Sequence, residues 1–131
     1  MILLDTHTLI WWYERDSRLS NHAATAIELG QAQSRVLVSA ITSWEVALLL
    51  WKGRLALHCG IHQWIAGVAR LPGFRFIPVD SAIAIDAVHL PNYSPRDPAD
   101  RIIIATALRY DASIVTADRE MQGYPNIATI W

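Results

Sequence analysis

The chain has one cysteine, Cys59, and one lysine, Lys52, in 131 residues. A lone thiol closes no internal disulfide, so a disulfide-stapled secreted scaffold is excluded and a reducing compartment fits. No apolar stretch approaches the eighteen or so residues that span a bilayer, which argues against a membrane protein. No basic segment precedes the first apolar run, since Met1 leads straight into Ile2-Leu3-Leu4, and a cytoplasmic protein is expected. Repeats, linkers and low-complexity segments are absent, so residues 1–131 read as one domain. The formal net charge of −1 excludes a global basic field of the kind that draws in nucleic acid. Ten of the eleven basic residues are Arg, the better bidentate phosphate ligand, although compositional bias is the simpler account.

What is present is apolar: 53% of residues are hydrophobic, ample for a core at this length. Ile2 to Leu4 is a short continuous apolar run, the signature of a strand buried on both faces, and Thr8 to Tyr13 follows as a helix. Ser20 caps a second helix over Asn21 to Gln33, and Val36 to Val38 is the next strand. Thr42 and Ser43 are candidate caps for a helix over Trp44 to Lys52, apolar almost all round and so expected to be buried on more than one side. Ile61 to Arg70 reads as helix, Phe74 to Val79 as strand, Ser81 to Val88 as helix, and Pro91 to Pro98 as a loop. Asp97 as cap with Pro98 at the first helical position then starts a helix through Arg101 to Tyr110. Ile114 to Thr116 and Ile127 to Ile130 complete the strands. Such alternation predicts an α/β fold of three layers, a central parallel sheet of four to five strands with helices on both faces.

Ligands in such a sheet lie beyond the carboxyl ends of the strands, where the strand order reverses. Asp5 and Asp118 fall at that edge, while Glu45 and Asp100 stand in the first turns of helices that begin there. Each acid has an ordinary explanation: Asp5 as a helix cap, Asp118 as the cap of a short Arg119 to Gln122 turn, Glu45 and Asp100 as acids favourable to a helix dipole. The combination says more, because Thr42, Ser43 and Asp97 already supply caps and leave Glu45 and Asp100 free. Carboxylates gathered within a few ångströms repel by roughly 3 to 4 kcal/mol per pair at an effective dielectric near 20, so four together need protons or a cation, naturally a hard divalent ion. Magnesium or manganese held there would suit phosphodiester hydrolysis. Thr6 and Thr116 could orient the carboxylates or water, and Arg101 or Arg119 could touch phosphate.

These segments resemble the PIN-domain ribonucleases, in particular the VapC-type toxins of type II toxin–antitoxin modules. The resemblance is carried by Ile2-Leu3-Leu4-Asp5-Thr6-His7, by Val38 through Glu45, by Asp97-Pro98-Ala99-Asp100-Arg101 and by Val115-Thr116-Ala117-Asp118-Arg119, in family order and spacing. It implies Asp5 and Asp100 as the main magnesium ligands, Glu45 and Asp118 completing the acidic quartet, and Thr116 in support. It also implies a homodimer, an RNA substrate and a cognate VapB-type antitoxin. Two alternatives stand beside it. A haloacid-dehalogenase-like phosphatase needs a second Asp two residues after Asp5, where His7 stands; a receiver-like module would bind magnesium without catalysis.

The remaining signals are weaker. His58 and His62 flank Cys59, but without a second cysteine or a His-Glu-x-x-His pattern they make a poor zinc set. His7, His22 and His89 read as surface or capping residues, with His7 close enough to Asp5 for a minor part near the site. Of six tryptophans, Trp11 and Trp12 point to different sides of one helix, so one could anchor a partner. Trp44, Leu48 and Trp51 share a face at helical spacing and are expected inside.

Overall fold

The computed structural model describes residues 1–92 and 97–131. Five short strands, β1 (Ile2–Leu4), β2 (Val36–Ser39), β3 (Phe74–Ile77), β4 (Ser113–Val115) and β5 (Thr129–Ile130), form one sheet in the order β3-β2-β1-β4-β5. Every pairing is parallel. The chain thus starts in the middle, builds outward through β2 and β3, then crosses back to place β4 on the other side of β1. That reversal puts the topological switch point between β1 and β4, where Leu4 is in register with Val115.

Alternation along the strands divides the core into two layers. Leu3, Leu37 and Ile114 face α5 (Ser81–Val88) and α6 (Pro98–Arg109) through Ile83, Ile103 and Ile104. Leu4, Val36, Val38 and Val115 face the other way, onto Leu9 of α1 (Thr6–Tyr13), Ile27 of α2 (Asn21–Ala32) and Trp64 of α4 (Ile61–Ala69). Both layers are buried, and each fully buried aliphatic side chain contributes about 1.5 to 3 kcal/mol. No described helix is long and apolar enough to cross a membrane.

The three-layer parallel sheet is as expected; the differences lie at element ends. β3 stops at Ile77 and β5 starts at Thr129, both shorter than the apolar runs suggested. The middle of the loop expected over Pro91 to Pro98, residues 93–96, lies outside the described residues.

The main correction concerns α3 (Ile41–Trp51), which begins three residues before Trp44. Thr42 and Ser43 are therefore helical, not caps, and Glu45 stands in the second turn. The nearest thing to a cap is Ser39, whose Oγ accepts the Ile41 N–H at 3.3 Å. Nor is α3 buried all round: only Thr42 and Val46 are fully enclosed, while Trp44 is 55% and Trp51 83% exposed. An all-apolar helix carries no phase to say which face turns inward, and here the packed stripe is the one opposite the tryptophans.

Candidate metal centre

Asp5 follows β1 directly and is held there by its own N–H, which donates to the Val115 carbonyl at 3.1 Å across the switch point. It occupies the N-cap position of α1, yet its carboxylate caps nothing. Instead Oδ2 accepts the Thr116 hydroxyl at 2.9 Å, and Thr116 Oγ1 in turn accepts the Asp118 N–H at 3.0 Å. The side chain is 6% exposed. Burial raises the Asp5 carboxyl above the usual carboxylate range, and the Asp118 charge adds to it; the Thr116 hydroxyl, His7 and the Thr6 N–H pull the other way without prevailing.

On the far side of Asp5 three more acids meet. Glu45 comes from α3, Asp97 caps α6 through an Oδ1 that accepts the Ala99 N–H at 2.9 Å, and Asp100 lies in the first turn of α6. One carboxylate oxygen from each lies within 4.8 Å of the other two. The Thr6 hydroxyl sits 2.5 Å from Glu45 Oε1 and 3.2 Å from the Thr42 hydroxyl. Thr6 has one proton to give; the shorter contact takes it while Glu45 is ionised, and Thr42 then donates to Thr6. Burial, then the charges of Asp5 and Asp97, push Glu45 up to about 7 against the Thr6 hydrogen bond. Burial also lifts Asp100 to about 7, followed by the charges of Asp97, Asp5, Glu45 and Asp118.

Of the four acids singled out in the sequence, Glu45 and Asp100 meet in this group, and Asp5 and Asp118 bear on it by their charges. They are not equivalent. Glu45 and Asp100 belong to the tight group; Asp5 is buried beside it; Asp118 is exposed at the margin, where its Oδ1 caps α7 (Arg119–Gln122) by accepting the N–H groups of Glu120 at 2.7 Å and Met121 at 3.2 Å. Asp97, which the sequence accounts for as a cap alone, joins the group as well. The signal was there: a cap and the third helical residue after it project from the same end of a helix, so Asp97-Pro-Ala-Asp100 puts two carboxylates on one side. The Thr6 and Thr116 hydroxyls each meet one of these acids, Glu45 and Asp5 respectively.

Arg101 Nη1 donates to the Ala87 carbonyl at 3.0 Å, which ties its guanidinium to α5. Arg119 is exposed at the start of α7. His7 is exposed and tilts against Trp11 with ring centroids 5.8 Å apart. His58 pairs with Glu14 Oε1 at 2.7 Å rather than with His62 or Cys59, and among the described residues the one metal-competent group is Glu45, Asp97 and Asp100. Its donors are all carboxylate oxygens, with no nitrogen or sulfur, the set that suits a hard divalent cation.

A family model described as the PIN domain matches residues 2–126. The chain belongs to the PIN domain family. Across this PIN domain, the ribonuclease VapC22 of Mycobacterium tuberculosis is 35% identical over 132 residues, covering 99% of this chain and 98% of that protein. Among solved structures, the domain is similar to a chain of a toxin–antitoxin complex from Klebsiella pneumoniae, with a TM-score of 0.65 and 26% identity over 98% of this chain and 97% of that one. It also resembles a chain of FitAcB from Neisseria gonorrhoeae, with a TM-score of 0.66 and 24% identity over 98% and 96% of the two chains, a likeness of fold. The family match sets aside the phosphatase and receiver-like alternatives.

Proposed function

We propose that this PIN domain is a magnesium- or manganese-dependent endoribonuclease and the toxin of a toxin–antitoxin pair. The observation that carries the reading is the convergence of carboxylates from four separate stretches of chain on the carboxyl edge of one parallel sheet. The ribonuclease named among its relatives and the toxin–antitoxin complex among its structural neighbours support the activity and the biological setting.

Asp5, Glu45 and Asp100 hold the cation, Asp97 adds a fourth oxygen donor, and Asp118 stands close enough to bear on the same charge. When bound, magnesium or manganese supplies Lewis acidity for hydrolysis of an RNA phosphodiester. Thr116 fixes the Asp5 carboxylate by its hydroxyl and Thr6 fixes that of Glu45, so neither acid has to be ordered when substrate arrives. Arg119, exposed beside Asp118, is placed to meet phosphate; Arg101 donates to the Ala87 carbonyl and so ties α6 to α5.

A homodimer and a VapB-type antitoxin are part of the same proposal. Two uncovered apolar regions support it, Trp51 on α3 and Ile85, Val88 and Leu108 on α5 and α6, since apolar side chains exposed at 39 to 83% suit a protein that works in a complex. A reducing cytoplasm suits the single free thiol.

The test is cleavage of RNA by the purified protein with and without magnesium or manganese, beside Asp100→Asn. Cleavage should need the metal and fall by about 100-fold or more in the variant, with an unchanged circular dichroism spectrum. RNA left intact at every metal concentration, or full activity in chelator, would overturn the reading.

A further inference from the structure

Helix α3 runs from the carboxylates to the chain's one lysine. Glu45 is in its second turn and Lys52 sits at its C-terminal cap, seven residues on, about 10 Å along the axis. The helix then reverses: Gly53 adopts a left-handed φ of 68°, its N–H donates to the Leu50 carbonyl at 3.0 Å, and the Arg54 N–H donates to the Leu49 carbonyl at 2.9 Å. This turn returns Arg54 to the side of Lys52. Beside the helix lies an open groove of about 380 Å³ whose walls include Glu45 and Asp97 together with Trp44, Leu48, Lys52 and Arg54.

Three properties of this groove go unused by the folded chain. Trp44 is 55% exposed. Lys52 and Arg54 are exposed, and among the described residues neither side chain makes a hydrogen bond or ion pair, whereas Arg18 is paired with Asp16 and Arg109 with Asp86. Two unspent cations and an open indole thus lie next to a cluster of acids. A polyanion approaching that cluster is repelled by it, and a protein of net charge −1 offers no general attraction to compensate. Local cations are what would bring phosphate to the acids.

We propose that this groove is the track for the single-stranded RNA flanking the point of cleavage, with Lys52 and Arg54 on phosphates next to the scissile one and Trp44 stacked on a base. The inference rests on the ribonuclease reading and deepens it by naming where the substrate runs. Charge decides for RNA over an apolar helix of a partner, which would cover Trp44 and Leu48 but leave both cations unmatched. Stacking on an aromatic ring beside a basic track is how single strands are held without base-pair readout.

The probe is a labelled single-stranded RNA, with binding followed by anisotropy from low to high salt in the Asp100→Asn background so that the RNA stays whole. Lys52→Ala with Arg54→Ala should weaken binding about tenfold and flatten the slope of log K against log salt by roughly 1.4, the release expected for two phosphate contacts on a single strand. Trp44→Ala should weaken it by roughly fivefold to a hundredfold with little change of slope, and Trp44→Phe should recover most of that loss. Arg70→Ala, an exposed cation at the far end of α4, is the charge control and should keep both affinity and slope. In the active protein the losses should fall on KM. If the parent protein cuts RNA with metal while the groove variants bind and cut as it does, the track is wrong and the ribonuclease reading survives. If those variants lose an acidic protein partner but keep RNA, the groove is a protein site and the proposal is overturned. If the parent protein leaves RNA uncut, both readings fall.

Discussion

Asp5 and Asp118 stand in equivalent places, each at the N-cap of the helix that follows one of two neighbouring parallel strands, and they use their carboxylates in opposite ways. Asp118 is exposed and accepts two backbone N–H groups of its own helix at Oδ1. Asp5 is buried, caps nothing, and accepts from Thr116 just past the end of the neighbouring strand. A local partner makes an acid structural. A buried acid with a distant partner is held at a charge that the fold alone does not stabilise, since burial raises the Asp5 carboxyl despite the hydrogen bond it receives. One hydroxyl, that of Thr116, joins the two cases by giving its proton to Asp5 and taking the N–H of Asp118.

The largest effect should come from Asp5→Asn. It keeps the shape and an acceptor for Thr116 while removing a ligand charge, so RNA cleavage should fall by about 100-fold or more, about 2.7 kcal/mol of lost transition-state stabilisation. In chelator the same variant should melt at a higher temperature than the parent, because a carboxylate disfavoured by burial has gone. Opposite signs for activity and metal-free stability mark a functional acid; a variant both active and less stable would make Asp5 another structural residue like its neighbour.

A smaller effect belongs to pH. Glu45 and Asp100 are pushed up to about 7, above ordinary values of 4.5 and 3.8, so the folded protein binds protons that the unfolded chain has released. Between about pH 4 and 7 the metal-free protein should therefore lose stability as pH rises. Because solvent still reaches both groups, the loss is on the order of 1 to 2 kcal/mol together, several degrees in melting temperature. Magnesium should restore more at pH 8 than at pH 5.5, where protons already compensate the charge. Melting curves in chelator that coincide at the two pH values would show that these acids are not crowded.

The strands and the start of α6 were legible because their causes are local: continuous apolar runs over Ile2 to Leu4 and Val36 to Val38, and Asp97 with Pro98 at a helix entry. Asp118 as a cap was legible for the same reason. The start of α3 was not, since the Thr42 hydroxyl that suggests a cap faces Thr6, 36 residues away. The outward turn of Trp44 and Trp51 was hidden too, because an all-apolar helix looks the same from every side. At Asp97 an adequate local role concealed a second one, in which the capping carboxylate also meets Glu45 and Asp100. Local chemistry is readable residue by residue, whereas the site depends on which strands become neighbours.

Asp118 offers the finest separation, through two substitutions. Asn caps a helix about as well as Asp, so Asp118→Asn should leave the melting temperature in chelator within a degree or two, whereas Asp118→Ala leaves the Glu120 and Met121 N–H groups without their acceptor and should cost about 1 kcal/mol. Both remove the same charge from the margin of the acid cluster. If Asp118 contributes to catalysis through that charge, the two variants lose equal activity at saturating metal, by less than Asp5→Asn does. If it contributes only by holding α7 and the Thr116 hydroxyl in place, Asp118→Asn stays near parental activity and the alanine variant alone declines.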